Sequence, residues 1–561
     1  MNWKYILVVV ILAAIVSGGT FWLAREEIPL VEFPKIEKLE KTKSDNDQFR
    51  NLCIKFIRKV AENYFDEETT PYPEELEIKG NWEPYLTLYH RGEIKGEGKG
   101  ENEVLTLALE EATKVALSDK RSENLTKENL KEVKFLVKFL YPPNQFSFVE
   151  YNEEGKELIG DLVAVRNLDK ETILEKIKQG KEFLYRMMDK EKKGFHKYYY
   201  ALTDDFENKL HTVYSASIIY TFLYIYDLEK DEKILESIPD WGDFLLSMQN
   251  KSEVNESYGA FHYSYNLDIK EEEKKFVVGT SALSIFTLLR LYELADSSKY
   301  LESAKLAGDW LTTMQETTGR MKPYLSYSDG QRLYGEKESL LYEGQVLSAL
   351  SKLYQETQEK KYYDTAEKIA QRFAQKYGKE KGYIEGEYRK KNPISNSWVV
   401  MSLMDFYRVN QTEEYKKIIF ELSKKILENQ KNETSELLYY GGWDGAYSTS
   451  GIGWISEVMG ETYRFCKEEN RDDCNQYKDA VIRATRWIIQ NTYSEENTFF
   501  LNNSERAIGG VFWNQSNKYV RTDSVCHALN SYLRIINDLE EGVLLSVPEQ
   551  PLEEILNEIK K

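Results

Sequence analysis

Three carboxylates stand where acid–base chemistry could be done. Asp444 lies in GGWDGAY between flexible glycines, Glu343 lies in LLYEGQ in the first turns of an apolar segment, and Asp523 opens another such segment in VRTDSVCH. Breaking a glycosidic bond takes one carboxylic acid to protonate the leaving oxygen and one carboxylate as base or nucleophile. These three are the candidates for that pair. Each also has a plainer reading: Asp444 can make a turn, Glu343 can answer a helix dipole, and Asp523 can cap its helix. Glu457, Glu461 and Glu387 stand second, with solvation on a helix surface or loop as their plainer role.

Aromatic and basic side chains surround these acids in the sequence. Trp443, Tyr447, Trp398, Trp454, Trp513, Tyr342 and Tyr334 could stack on the apolar faces of sugar rings, or could wedge loops onto a core. The fork of Arg521 suits a substrate carboxylate, although pairing with a nearby acid is the simpler use. His211 and His527 fall near the starts of apolar segments, where proton transfer competes with a core or capping role. Asp523, Cys526 and His527 offer ligand types within five residues, but further ligands would have to come from elsewhere, so no metal is expected. No phosphate-binding glycine loop, G-x-S-x-G elbow or H-E-x-x-H motif occurs, and no cofactor is implied.

The elements that must position these residues alternate from residue 170 onward. Segments beginning at 211, 276, 339, 394, 450 and 519 are apolar almost all round, as in HTVYSASIIYTFLYIY and ISNSWVVMSLMDFY. Such helices belong in an interior. Between them run helices with one apolar stripe and one charged face, such as KYYDTAEKIAQRFAQKY and EEYKKIIFELSKKILENQ. Six inner and six outer helices at a period of 55 to 69 residues predict a closed (α/α)6 toroid over 170–538. Links from inner to outer helix are short, whereas links from outer to inner run to about 15 to 27 residues and therefore share one rim. Loops of that length in a compact fold usually carry function.

Those loops share a G-x-aromatic-x-Tyr flavour, from GFHKYYY and GAFHYSY to YYGGWDGAY and GGVFWNQSNKY. With the six-fold alternation, they make 170–537 resemble the six-hairpin glycosidase superfamily and related epimerase and lyase toroids. The resemblance implies an oligo- or polysaccharide partner and hydrolase, lyase or epimerase chemistry. A catalytically silent glycan-binding or envelope-scaffold protein, or a protein-interaction toroid, is the alternative.

Ahead of the toroid, residues 6–24 form an uncharged run close to the length of a membrane-spanning helix, with Arg25, Glu26 and Glu27 after it. Residues 1–27 are read as a membrane anchor or signal segment, which places the bulk of a single-pass chain outside the cytoplasm. A charged linker, 28–46, leads to an α+β unit over 47–168. In 47–140 the pieces YLTLY, GEIKG and ALSDKR make that unit resemble the AMMECR family domain, although Glu97 stands where the family carries a cysteine. Cys466 and Cys474 bracket a polar stretch between two helices and are read either as a local disulfide or as two thiols. Residues 539–561 form a polar tail. With 94 acidic against 75 basic side chains and a formal charge of −19, nucleic acid is not expected as a partner.

Overall fold

The structure is a computed structural model. It describes residues 36–543 and 545, apart from 91–92, 141–144, 150–151, 154–155, 158–167, 254, 329–330, 390, 433–439, 499–500 and 515–516. The expected membrane segment 6–24 and most of the expected tail lie outside the described residues. Among the described residues no helix is long and apolar enough to cross a membrane.

The N-terminal unit opens with helix α1 (Ile36–Asp66), which begins inside the segment expected as a linker. It packs on α2 (Leu105–Leu117). An antiparallel sheet runs in the spatial order Glu93–Lys99, Pro84–His90, Lys134–Leu140, Gln145–Val149. Glycines in GEIKGEGKG let α2 lie directly on the sheet: a Cβ at Gly98 would stand 2.1 Å from the Ala112 carbonyl oxygen. Cys53 is buried in this unit's own core.

From α3 (Lys170–Arg186) onward the chain forms helical hairpins. The inner helices are α4 (Thr212–Glu229), α6 (Val278–Ala295), α8 (Leu340–Thr357), α10 (Pro393–Tyr407), α12 (Thr449–Glu468) and α14 (Thr522–Ile535). Between them lie the outer helices α5 (Glu232–Ser247), α7 (Ser298–Thr313), α9 (Lys360–Glu380), α11 (Glu413–Leu427) and α13 (Asn475–Gln490). Each inner helix packs on the next, and α14 returns to pack on α4, which closes the ring. In α10 every residue from Ser395 to Tyr407 is buried, as a helix enclosed on all sides requires. In α9 burial follows Tyr362, Ala366, Ile369 and Phe373, one stripe at helical spacing. Cys466 and Cys474, at the α12–α13 link, are joined by a disulfide.

The long rim loops are built as staples. Gly259, Gly319, Gly441 and Gly509 all have φ between 82° and 88°. A Cβ at Gly441 would stand 2.0 Å from the carbonyl oxygen of Arg483 on α13, so only glycine fits the turn against the neighbouring outer helix. Glutamines complete the device: Gln249 donates to the carbonyls of Gly259 and Ser303, and Gln430 to those of Gly441 and Ala480. Short strands tie adjacent loops together, such as Lys209–His211 with Ser264–Asn266 and Val520–Arg521 with Tyr198–Tyr200. The shared glycine–aromatic signature is therefore architectural.

Candidate active site

Because the inner helices begin at the rim, their first turns ring the mouth of a central cavity of about 380 Å³. Local sequence sets these starts. Ser339 and Ser448 accept amide hydrogens of the first turns of α8 and α12, and Asn392 caps α10 with Pro393 at its opening.

Two polar pairs occupy the mouth side of α12 and α14. Arg521 grips Asp523 with its fork, Nε to Oδ1 at 2.7 Å and Nη2 to Oδ2 at 2.5 Å, while Ser450 Oγ donates to Asp523 Oδ2 at 2.8 Å. Burial alone would raise the Asp523 carboxyl, but the Arg521 charge and its hydrogen bonds hold it below the usual carboxylate range. One turn deeper, His527 Nδ1 lies 2.9 Å from Glu457 Oε2, and Asn530 Nδ2 donates to Glu457 Oε1 at 3.2 Å. With Nδ1 engaged by a carboxylate, the imidazole keeps Nε2 for a ligand.

Aromatic walls flank these pairs. Trp398 and Trp454 stack with ring centroids 3.8 Å apart, and Trp454 meets His527 edge-on at 5.2 Å. The Arg521 guanidinium lies 4.2 Å over the Trp513 ring. Trp398, Trp454, Trp513, Tyr342, Arg521, Asp523 and His527 all line the cavity, together with Tyr214 and Tyr263.

The floor is a charged network. Glu461 meets Arg408 at 2.9 Å and Arg534 at 3.3 Å, and Lys352 meets Asp405 at 2.7 Å. Arg534 also donates to the Tyr224 hydroxyl, which lies 3.0 Å from that of Tyr220. Burial opposes ionisation of Glu461, yet Arg534 and Arg408 override it and lower the carboxyl to about 2.

Other expected residues do not line the cavity. Glu343 is buried beside the cavity rather than in it, where Oε1 accepts the Met321 amide at 3.1 Å. Asp444 is 67% exposed near Lys431, and Tyr447 is 81% exposed; neither lines the cavity. Trp443 is buried in the loop staple, where its indole donates to the Ile426 carbonyl. His211 is buried under the mouth with Nε2 on Glu207, edge-on to Tyr214 and Tyr263.

Glu343 gives a pH prediction. Burial and the neighbouring Glu338 raise its carboxyl from the ordinary 4.5 to about 8. Arg372 stands 3.9 Å away without a hydrogen bond to it, because Arg372 is engaged by Glu338. A carboxyl raised on folding stabilises the protein below its unfolded value and loses that contribution as pH rises through the folded value, at about 1.4 kcal/mol per unit of displacement. Glu343→Gln should therefore be more stable than the parent at pH 8 and closer to it at pH 5. Parallel urea midpoints of the two proteins from pH 5 to 8 would contradict this.

Reasoning on sequence missed Tyr214, Tyr263, Asn530, Arg534, Lys352 and Asp405. The available signal was helical spacing of polar residues within apolar inner helices: Glu457 with Glu461, and Asp523, His527, Asn530 and Arg534 down one face.

No family model and no curated protein matches the chain, so the AMMECR likeness of 47–140 is without such support. Solved structures do match. A cellobiose 2-epimerase from Bacillus thermoamylovorans is 12% identical with a TM-score of 0.52, covering 66% of this chain and 100% of its own. A D-mannose isomerase is 13% identical, with a TM-score of 0.50 over 66% of this chain and 98% of its own. A family 76 glycoside hydrolase from a bovine Bacteroides thetaiotaomicron strain is 11% identical, with a TM-score of 0.50 over 82% and 94%. The chain thus has the fold of the six-hairpin glycosidase-like toroids.

Proposed function

We propose that the protein is a carbohydrate-active enzyme that moves a proton on a sugar held in the central cavity. The observation that carries this reading is the His527–Glu457 pair, set inside a cavity walled by Trp398, Trp454, Trp513 and Tyr342. Of hydrolase, lyase and epimerase chemistry, the pair favours the last. Asp523, held ionised by Arg521, cannot serve as the protonated partner that hydrolysis by two carboxyls needs. An imidazole oriented by a carboxylate can instead take the proton next to a sugar carbonyl and return it from the same side to the neighbouring carbon, or to the other face of the first carbon once the enediolate has turned over in the cavity. The cellobiose 2-epimerase and D-mannose isomerase of like fold support the choice.

In this reading Glu457 holds the imidazole in one tautomer, the tryptophans present stacking faces, and the floor network keeps the cavity rigid. The test is a panel of reducing sugars incubated with the chain from residue 28 and analysed for epimers and isomers. A new epimer or ketose is the expected product. Sugar binding without any product would favour a glycan-binding protein instead, and release of shorter glycans would favour a hydrolase.

The uncharged run 6–24 supports an anchor that holds the toroid outside the cytoplasm. Deleting 1–27 should release the protein from membranes. Retention of the truncated chain through high-salt and alkaline washing would oppose the anchor.

A further inference from the structure

The N-terminal sheet has two faces, and only one of them is covered by its own unit. Side chains alternate along a strand, so Leu86 and Leu88 point to one face and Thr87 and Tyr89 to the other. Leu86, Leu88, Phe135 and Val137 are buried in the N-terminal unit's own core. Tyr89 is instead buried in the core of the toroid, and Ile94 and Leu136 pack against that core from the neighbouring strands. The register agrees, because Tyr89 lies opposite Ile94 on one side and Thr87 lies opposite Leu136 on the other. A sheet that served only as a spacer would leave this second face to water.

Tyr493, fully buried just after α13, links this face to the rim. Burial first, and then the phenols of Tyr199 and Tyr89, push its hydroxyl well above the ordinary range, which puts Tyr89 beside it. Tyr493 also donates to the Lys518 carbonyl at 2.6 Å and meets the Phe512 ring with centroids 5.1 Å apart. The Lys518 ammonium lies 3.9 Å over the same Phe512 ring. A second contact comes from Lys138, on the same sheet face as Leu136: burial and then the Lys138 charge lower the Lys518 ammonium to about 7.

Phe512 and Lys518 belong to the hairpin 511–521, the last of the rim loops, which carries two residues of the site. The Trp513 amide donates to the Tyr519 carbonyl at 2.9 Å, and the rings of Trp513 and Tyr519 stack with centroids 6.0 Å apart. Trp513 lines the cavity, and Arg521 lies over its ring while gripping Asp523. Thr449 on α12 holds the carbonyls of Phe512 and Trp513 from the toroid side. The sheet and Tyr493 support the hairpin through Phe512 and Lys518. A shift of the hairpin would move a stacking wall and the arginine together, and a misplacement of about 1 Å is enough to weaken a site.

We propose that Tyr89 and Leu136 are positioning residues, through which the N-terminal sheet holds the hairpin 511–521 and so sets Trp513 and Arg521 at the cavity mouth. The effect on ligands rests on the reading of the cavity as a sugar site. The experiment therefore has two arms, run on the full chain and on its Tyr89→Ala, Leu136→Ala and Tyr89→Phe variants. Amide hydrogen exchange is followed across 511–521, with α10 as the internal reference. Calorimetric titration with cellobiose, mannobiose and maltose measures affinity.

In Tyr89→Ala, exchange across 511–521 should speed up by about tenfold while α10 keeps the parental rate, and disaccharide affinity should fall by about fivefold. Leu136→Ala should act in the same direction more weakly, and it stands if Tyr89→Ala does not fold. Tyr89→Phe keeps the ring and should return both readings to near parental values. Parental exchange across 511–521 in the folded alanine variants would overturn the support of the hairpin by the sheet. Faster exchange there with unchanged affinity would overturn its bearing on the site. Equal acceleration in α10 would show a general loss of stability and overturn the proposal. If the parent binds none of the disaccharides, the sugar reading falls and the positioning of a sugar site falls with it, while the exchange rates still decide whether the sheet holds the hairpin.

Discussion

Glu457→Gln should lower turnover by about 100-fold or more, the scale of general acid–base catalysis, with little change in thermal stability. The reason lies in the order of the hydrogen bonds. Asn530 donates to one oxygen of Glu457, and His527 Nδ1 meets the other. In the glutamine variant the oxygen stays opposite Asn530 and the NH2 group turns toward His527. Nδ1 must then accept, and Nε2 carries the proton and can no longer take one from a sugar. His527→Gln should fail equally. Asp444→Asn serves as the control, since Asp444 is exposed away from the cavity and its amide should turn over like the parent. Steady-state rates on the sugar that the panel identifies, with melting curves alongside, check all three. Parental turnover in Glu457→Gln would exclude the dyad from the reaction.

Ile285→Asp should be among the most destabilising changes, costing about 4 kcal/mol or more. Ile285 is fully buried in α6, so a carboxylate placed there would lose its hydration. Lys305→Asp on α7 is the comparison. It loses an ion pair with Glu359 at the surface and sets two like charges together, for a cost of roughly 1 kcal/mol or less. Urea midpoints measure the difference. Equal midpoints would mean that α6 is not the inner helix of a packed ring.

The toroid was legible because closure imposes two different helix compositions. A helix enclosed on all sides, such as α10, is buried around its whole circumference, and a helix covered on one side, such as α9, shows a stripe. The site was less legible for the same reason. Glu457 and Glu461 looked like solvated helix positions, but in a closed ring the polar face of an inner helix turns toward the axis, where it lines the cavity. The rim loops misled in the opposite direction. Trp443 beside Asp444 has the look of a sugar platform beside an acid, yet Gly441, two residues before it, takes a positive φ against α13 and the Trp443 indole pins the loop to α11. Glu343, in the first turn of α8, gave no sign in sequence that it would point into the core toward Met321 rather than to the axis.

Exchange of solvent deuterium into a reducing sugar tests the central claim most directly. The full chain is incubated in D2O with aldoses and reducing disaccharides, and the C2 proton is followed by NMR beside the His527→Gln variant. The account predicts deuterium at C2 of at least one sugar, accompanied by its epimer or ketose, with the rate cut by about 100-fold or more in the variant. No exchange by the parent protein on any sugar of the panel, or equal exchange by parent and variant, would contradict it.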